Sequence, residues 1–124
     1  RTKKNLEKFN LYDFLKDCEN IQVSDPLLYS DFLLQISNVK FVITDSGGIQ
    51  EETSFLGVDC FTLRKNTERP ITISSGTNKL INLKDLNKSL FLPKKRKKKY
   101  IEKWDGNTAK RIIKVLEKIL IKKQ

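Results

Sequence analysis

Two apolar runs near the middle of the chain, KFVIT at 40–44 and CFTL at 60–63, show no polar alternation, and a helix-length segment, GIQEETSFL at 48–56, lies between them. A strand with one wet face alternates apolar and polar residues, whereas a continuous apolar run suits a parallel sheet covered on both faces. Parallel neighbours also need a crossover between them, and a helix is the usual one. Gly57 stands just past the helical segment, where a left-handed residue commonly ends a helix.

The same order recurs on either side. IQV at 21–23 is a strand candidate and SDP at 24–26 a turn and helix start, since Pro26 biases Asp25 away from helix. Between Leu27 and Ile36 the residues Leu28, Phe32, Leu33 and Ile36 share one helical face. Farther on, NKLI at 78–81 reads as a fourth strand and LKDLNKSL at 83–90 as a helix. Thr2 to Asn10, with Leu6 and Phe9 three apart, reads as a helix or the end of one. The last segment, about 107–122, sets Ile112, Ile113, Leu116, Ile119 and Leu120 opposite lysines, with Asp105 or Asn107 placed to cap its start. The pattern predicts an α/β fold: a doubly wound, Rossmann-like parallel sheet with helices on both faces.

The 124 residues, 38% hydrophobic and 32% charged, suit one domain spanning 1–124. No run approaches the ~18 apolar residues of a membrane span, and no signal segment opens the chain, so a soluble, cytoplasmic protein without a membrane partner is expected. Met is absent and the chain begins RTKKNLEKF, which reads as a piece of a longer protein. Histidine is absent too, removing the commonest general base and the usual zinc ligand. Cys18 and Cys60 lack metal-ligand spacing and read as two thiols rather than a disulfide, so no metal and no cofactor is expected. Of the net charge of +10, six charges lie in KKRKKK at 94–99. Such a block reads as a solvated segment or an interaction patch, and no aromatic residue within it offers a base a stacking surface.

TDSGGIQEETSFLG at 44–57 follows the first continuous strand, and in open α/β sheets ligands sit beyond the carboxyl ends of strands. Gly47 and Gly48 are expected to let the backbone approach a ligand and to adopt dihedrals other residues resist, with their amides heading the next helix. Free amides and the positive end of a helix dipole suit a phosphate, and Ser46 adds a hydroxyl donor. Glu52, four residues past Gly48, is placed to accept the hydroxyls of a ribose slightly farther out. The plainer alternative is a strand-to-helix turn with Ser46 as cap and Glu52 on a solvated face. LRKNTERP at 63–70 follows the next strand, so Arg64 and Arg69 are at the same edge, with Pro70 starting a short helix. Surface arginines paired with Glu68 are the alternative there.

TDSGGIQEETSFLG, then TLRKNTERP, then GTNKLI, in that order, resemble the non-hydrolysing UDP-N-acetylglucosamine 2-epimerase family, and more narrowly its carboxyl-terminal domain. DPLLYSDFLLQISNVKFVITDSGG and WDGNTAKRI extend the resemblance over almost the whole chain. It implies one half of a glycosyltransferase-B-type fold, two Rossmann-like domains facing across a cleft. The activity implied is isomerisation of UDP-N-acetylglucosamine to UDP-N-acetylmannosamine by elimination and re-addition of UDP, in cell-surface polysaccharide synthesis. The implied ligands are UDP and its sugar conjugates, and the implied parent is a homodimer. Carried over, the resemblance puts phosphate on Ser46, Gly47 and Gly48, ribose on Glu52, and Arg69 near the diphosphate as a stabiliser of the leaving group. It sets the ring of Phe32 on uracil and the backbone beside Pro26 near the base edge, against plain core packing of the 28-32-36 face.

The family's proton-transfer residues have no counterpart in this chain, which is expected to bind without catalysing alone. Asp59, where proline is common in the family, and the lysine run depart from the pattern. Two other readings stand beside this one: a related glycosyltransferase-B domain holding a different nucleotide sugar, and a basic module binding nucleic acid through 94–99.

Overall fold

A computed structural model of the chain describes residues 2–86 and 100–121. The chain divides into two compact units, Arg1–Phe32 and Leu33–Gln124.

The first unit begins with α1 (Thr2–Lys8) and α2 (Tyr12–Lys16), the latter a short helix that the sequence pattern missed. Asn10 turns the chain between them at φ 54, a left-handed value that asparagine tolerates better than most residues, and the Leu11 N–H donates to the Leu6 carbonyl at 2.8 Å. Lys3 and Lys16 each lie over the Tyr12 ring, at 5.7 and 5.5 Å. Lys3 also pairs with Asp25 at 3.3 Å. Residues 21–23 are not a strand. Ile21 spends its N–H on the Cys18 carbonyl, and its side chain is exposed, so three residues find neither a ladder partner nor a buried face. α3 (Tyr29–Asn38) starts three residues after Pro26 rather than at it.

In the second unit β1 (Phe41–Thr44), β2 (Asp59–Thr62) and β3 (Asn78–Leu80) form a parallel sheet in that order. Thr44 pairs with Thr62 and Thr62 with Leu80, so all three carboxyl ends share one edge. α4 (Gly47–Leu56) connects β1 to β2, and α5 (Pro70–Ser74) precedes β3. Gly57 ends α4 at φ 74, as expected, and donates to the Thr53 carbonyl. Pro70 opens α5, where a fixed φ suits the first turn and its missing N–H loses nothing.

α4 and α5 lie over the sheet face that carries Cys60, Thr62 and Asn78. That layer is mostly polar: Gln50, Thr53, Ser54, Thr62 and Thr72 are fully buried beside Val58 and Cys60. On the opposite face the Phe41 and Phe61 rings meet edge to face at 5.7 Å, while Ile43 stays 39% exposed. Both cysteines are free thiols, and burial raises the pKa of Cys60.

After β3 the chain makes a 3-10 turn at Leu83–Asp85; residues 87–90 of the helix expected over 83–90 and the whole lysine run at 94–99 lie outside the described residues. α6 (Thr108–Ile121) matches the expected final helix. Asp105 accepts the Asn107 N–H at 3.0 Å just ahead of it and holds Arg111 through both carboxylate oxygens. Its five stripe residues, Ile112, Ile113, Leu116, Ile119 and Leu120, remain 49–66% exposed. No helix among the described residues is long and apolar enough to cross a membrane.

Candidate functional site

β1 ends at Thr44, whose hydroxyl accepts the Ser46 N–H at 3.0 Å and so turns the chain toward α4. Ser46 occupies the position before the helix with extended dihedrals, yet its hydroxyl makes no capping bond. Gly47 and Gly48 are the first two residues of α4, and neither has a positive φ. Conformational freedom is therefore not what these glycines supply, contrary to expectation. Their amides are among the four that a helix start leaves without intrahelical partners. No acidic side chain lies in the first turn of α4. A Cβ on Gly48 would meet nothing within 4 Å, so the helix start is open there, whereas one on Gly47 would stand 2.6 Å from Glu68 Oε1.

Glu52 lies one turn farther along α4. Its Oε2 is buried and has no hydrogen-bond partner among the described residues. Glu52 as a whole is half-buried, so only part of its carboxylate meets solvent. A buried carboxylate oxygen without a donor is costly. A ligand hydroxyl is the kind of group that satisfies it.

The loop after β2 brings two arginines to the same sheet edge. Arg64 Nη1 bonds both Glu68 oxygens, at 3.2 and 2.9 Å. The backbone N–H of Glu68 itself, and then Arg64, hold that carboxyl below its usual range. Arg69 does not pair with Glu68: its Nη1 reaches Glu51 Oε1 at 3.1 Å, which ties the loop to α4. Both ion pairs are partly exposed, with Arg64 and Arg69 side chains 36% and 44% accessible.

Beneath these charged groups runs a hydrogen-bond chain that sequence reasoning missed. The Gln50 amide donates to the Ser46 carbonyl at 3.2 Å, and its oxygen accepts the Thr67 hydroxyl at 2.7 Å and the Asn78 amide at 2.9 Å. Asn78 also donates to Thr72 Oγ1 at 3.1 Å and accepts the Thr62 hydroxyl at 2.6 Å. The Thr72 hydroxyl donates to the Arg69 carbonyl at 2.7 Å, and the Arg69 N–H donates to Thr67 Oγ1 at 3.0 Å. The glycine turn and the arginine loop are thus fastened to one buried amide. Gln50 and Asn78 stand beside charged residues, Glu51 and Lys79, so nothing local marks them as buried.

Phe32 and Pro26 belong to the first unit. Phe32 is half-buried on α3 and Pro26 is exposed. Leu28 is 74% exposed while Ile36 is buried, so the expected 28-32-36 core face does not exist as a continuous stripe. No cluster of three or more His, Cys, Asp or Glu side chains that could hold a metal occurs among the described residues.

The model of the family described as UDP-N-acetylglucosamine 2-epimerase matches residues 1–117. The chain belongs to that family. A UDP-N-acetylglucosamine 2-epimerase of Methanocaldococcus jannaschii is 40% identical over 119 residues, covering 94% of this chain and 32% of the relative. The Campylobacter jejuni enzyme of the same name is 43% identical over 67 residues, 54% of this chain and 18% of its own length. The chain therefore spans about a third of the first of these and less of the second. A crystal structure of the M. jannaschii UDP-GlcNAc 2-epimerase in complex with UDP-GlcNAc and UDP superposes with a TM-score of 0.81 at 42% identity, over 94% of this chain and 33% of that one. The Neisseria meningitidis UDP-GlcNAc 2-epimerase bound to UDP-GlcNAc gives 0.61 at 34% identity, over 69% and 24%. The expected parallel α/β fold is the fold of these neighbours.

Proposed function

We propose that this chain is the UDP-binding, carboxyl-terminal domain of a UDP-N-acetylglucosamine 2-epimerase. The observation that carries the reading is the pairing, on α4, of free leading amides with the buried, unpartnered oxygen of Glu52 one turn below. A nucleoside diphosphate has a matching pair of needs: an anion that seeks amide donors and ribose hydroxyls that seek an acceptor. Family membership supports uridine as the nucleoside.

In this account Ser46, Gly47 and Gly48 hold phosphate and Glu52 holds the ribose. Arg69 approaches the diphosphate once it exchanges Glu51 for the ligand, and stabilises charge on UDP as the glycosidic bond breaks. Phe32 and the backbone beside Pro26 receive the uracil. The reaction eliminates UDP from C1 and a proton from C2 of the sugar, leaving 2-acetamidoglucal, then returns UDP to C1 with a proton delivered to the opposite face of C2, so UDP must be held while detached. Holding it is the task of this domain, and proton transfer belongs to residues elsewhere in the parent. The exposed apolar stripe of α6 supports a two-domain, glycosyltransferase-B-type parent in which that helix packs on the other half. A homodimeric cytoplasmic enzyme of cell-surface polysaccharide synthesis is the setting proposed for it.

A nucleotide panel tests the reading. UDP should bind more tightly than UMP or GDP, and the chain alone should not epimerise UDP-N-acetylglucosamine. Equal affinity for GDP would favour a related nucleotide-sugar domain. Binding to oligonucleotides that falls steeply with salt, with no response to UDP, would favour the basic module.

A further inference from the structure

The start of α4 has a neighbouring carboxylate from the protein itself. Glu68 Oε1 stands where a Cβ on Gly47 would be crowded, at 2.6 Å, and the first turn of α4 carries no acid of its own. A loop carboxylate thus lies beside the helix start, near the place where the dipole and the leading amides favour negative charge. The same carboxylate engages Arg64 through both oxygens. One side chain thus sets a negative charge beside the first residue of α4 and against a guanidinium, two features that a phosphate group would also seek.

We propose that Glu68 is a competitor built into the binding site, one that a nucleotide's diphosphate must displace and from which it takes over Arg64. This rests on the nucleotide reading of the glycine turn. Two observations make the exchange feasible. The Glu68 side chain is 57% exposed, so it can swing into water without crossing packed atoms, and Arg64 is 36% exposed on the same loop. The backbone beneath does not have to move, because Thr67 and Arg69 on either side of Glu68 are fastened to Gln50 and Thr72. Of the other charges at this edge, Arg69 pairs with Glu51 rather than with Glu68, although its charge also favours the Glu68 carboxylate. A ligand that brings a stronger anion than a carboxylate, and more acceptor oxygens, wins the position. A neutral sugar or a free nucleoside does not. The competitor would thereby favour diphosphates over ligands that offer only a base and a ribose.

The test is calorimetric titration of the 124-residue chain and its Glu68→Gln variant with UDP, and separately with inorganic pyrophosphate. Removing the competing charge while keeping the side-chain shape should tighten UDP binding roughly three-fold or more, the scale of a partly exposed charge interaction. Affinity unchanged or weakened in Glu68→Gln would overturn the proposal, and would mean that Glu68 serves only to hold Arg64 ready. If UDP binds neither chain, the nucleotide reading fails and pyrophosphate decides the competitor separately. Tighter pyrophosphate binding to Glu68→Gln supports it, and no gain overturns it.

Discussion

The side-chain oxygen of Gln50, in a residue with no solvent exposure, accepts the Thr67 hydroxyl at 2.7 Å across seventeen residues of sequence. This bond joins the helix that begins at the glycine turn to the loop that carries Arg64 and Arg69. Gln50→Leu keeps the volume but removes the acceptor shared by Thr67 and Asn78. Buried donors left without a partner should lower stability by about 1–3 kcal/mol, read as a shift in the urea midpoint. Gln50→Glu retains the acceptor but sets an oxygen against the Ser46 carbonyl and a carboxylate in a site without solvent, and should also lower the midpoint. A midpoint unchanged in Gln50→Leu would mean the buried chain does not hold the loop.

The glycines separate by role. A Cβ on Gly76 would collide with Ser54 Oγ and the Thr72 carbonyl, in a buried seam where the Thr72 backbone cannot yield. Gly76→Ala should therefore destabilise the chain by about 1–3 kcal/mol, the range of overpacking. At Gly48 the added methyl meets nothing and replaces a poor helix former, so Gly48→Ala should raise stability by up to about 1 kcal/mol. It should also weaken UDP binding, because the methyl shades the leading amides. Thermal melts paired with UDP titration check both directions at once.

Much of this was legible beforehand, for local reasons. The runs at 40–44, 60–63 and 78–81 became strands because apolar, β-branched and aromatic residues were bounded by turn residues. Gly57 and Pro70 marked a helix end and a helix start that any context would respect. The site failed to be legible where it depended on contacts distant in sequence. Nothing local says that Arg69 selects Glu51 over its neighbour Glu68, or that Glu68 turns back onto Gly47. The glycine pair was misread for the same reason: the sequence pattern suggested unusual dihedrals, while the structure needs room at Gly47 for a side chain twenty-one positions away. IQV at 21–23 had the composition of a strand but no partner to pair with.

The start of α6 should respond to acid. Arg111, followed by the Asn107 backbone N–H, holds the Asp105 carboxyl well below the usual carboxylate range. A depressed folded-state pKa contributes stability that is present above the unfolded value, near pH 4, and is lost as pH falls through the folded value. Circular dichroism between pH 5 and pH 2 should show a loss of helix signal in the wild type. Asp105→Asn should show a lower signal at neutral pH and a flatter profile. Identical profiles for the two chains would remove this pair from the account.

The thiols should differ in reactivity. Cys60 is fully buried between β-strand neighbours, with its pKa raised by burial, while Cys18 is only half-buried. A thiol reagent at neutral pH should modify Cys18 in the folded chain and Cys60 only after urea unfolding. Equal rates for both would contradict the packing of β2.

The central claim is that the start of α4 and Glu52 together bind UDP. Its most direct test is calorimetric titration of the folded chain with UDP beside the double variant Ser46→Ala, Glu52→Ala. The account predicts measurable UDP binding that weakens about ten-fold or more in the variant, the sum of two hydrogen-bonding groups lost. UDP affinity unchanged in the double variant, with both chains folded by circular dichroism, would contradict it.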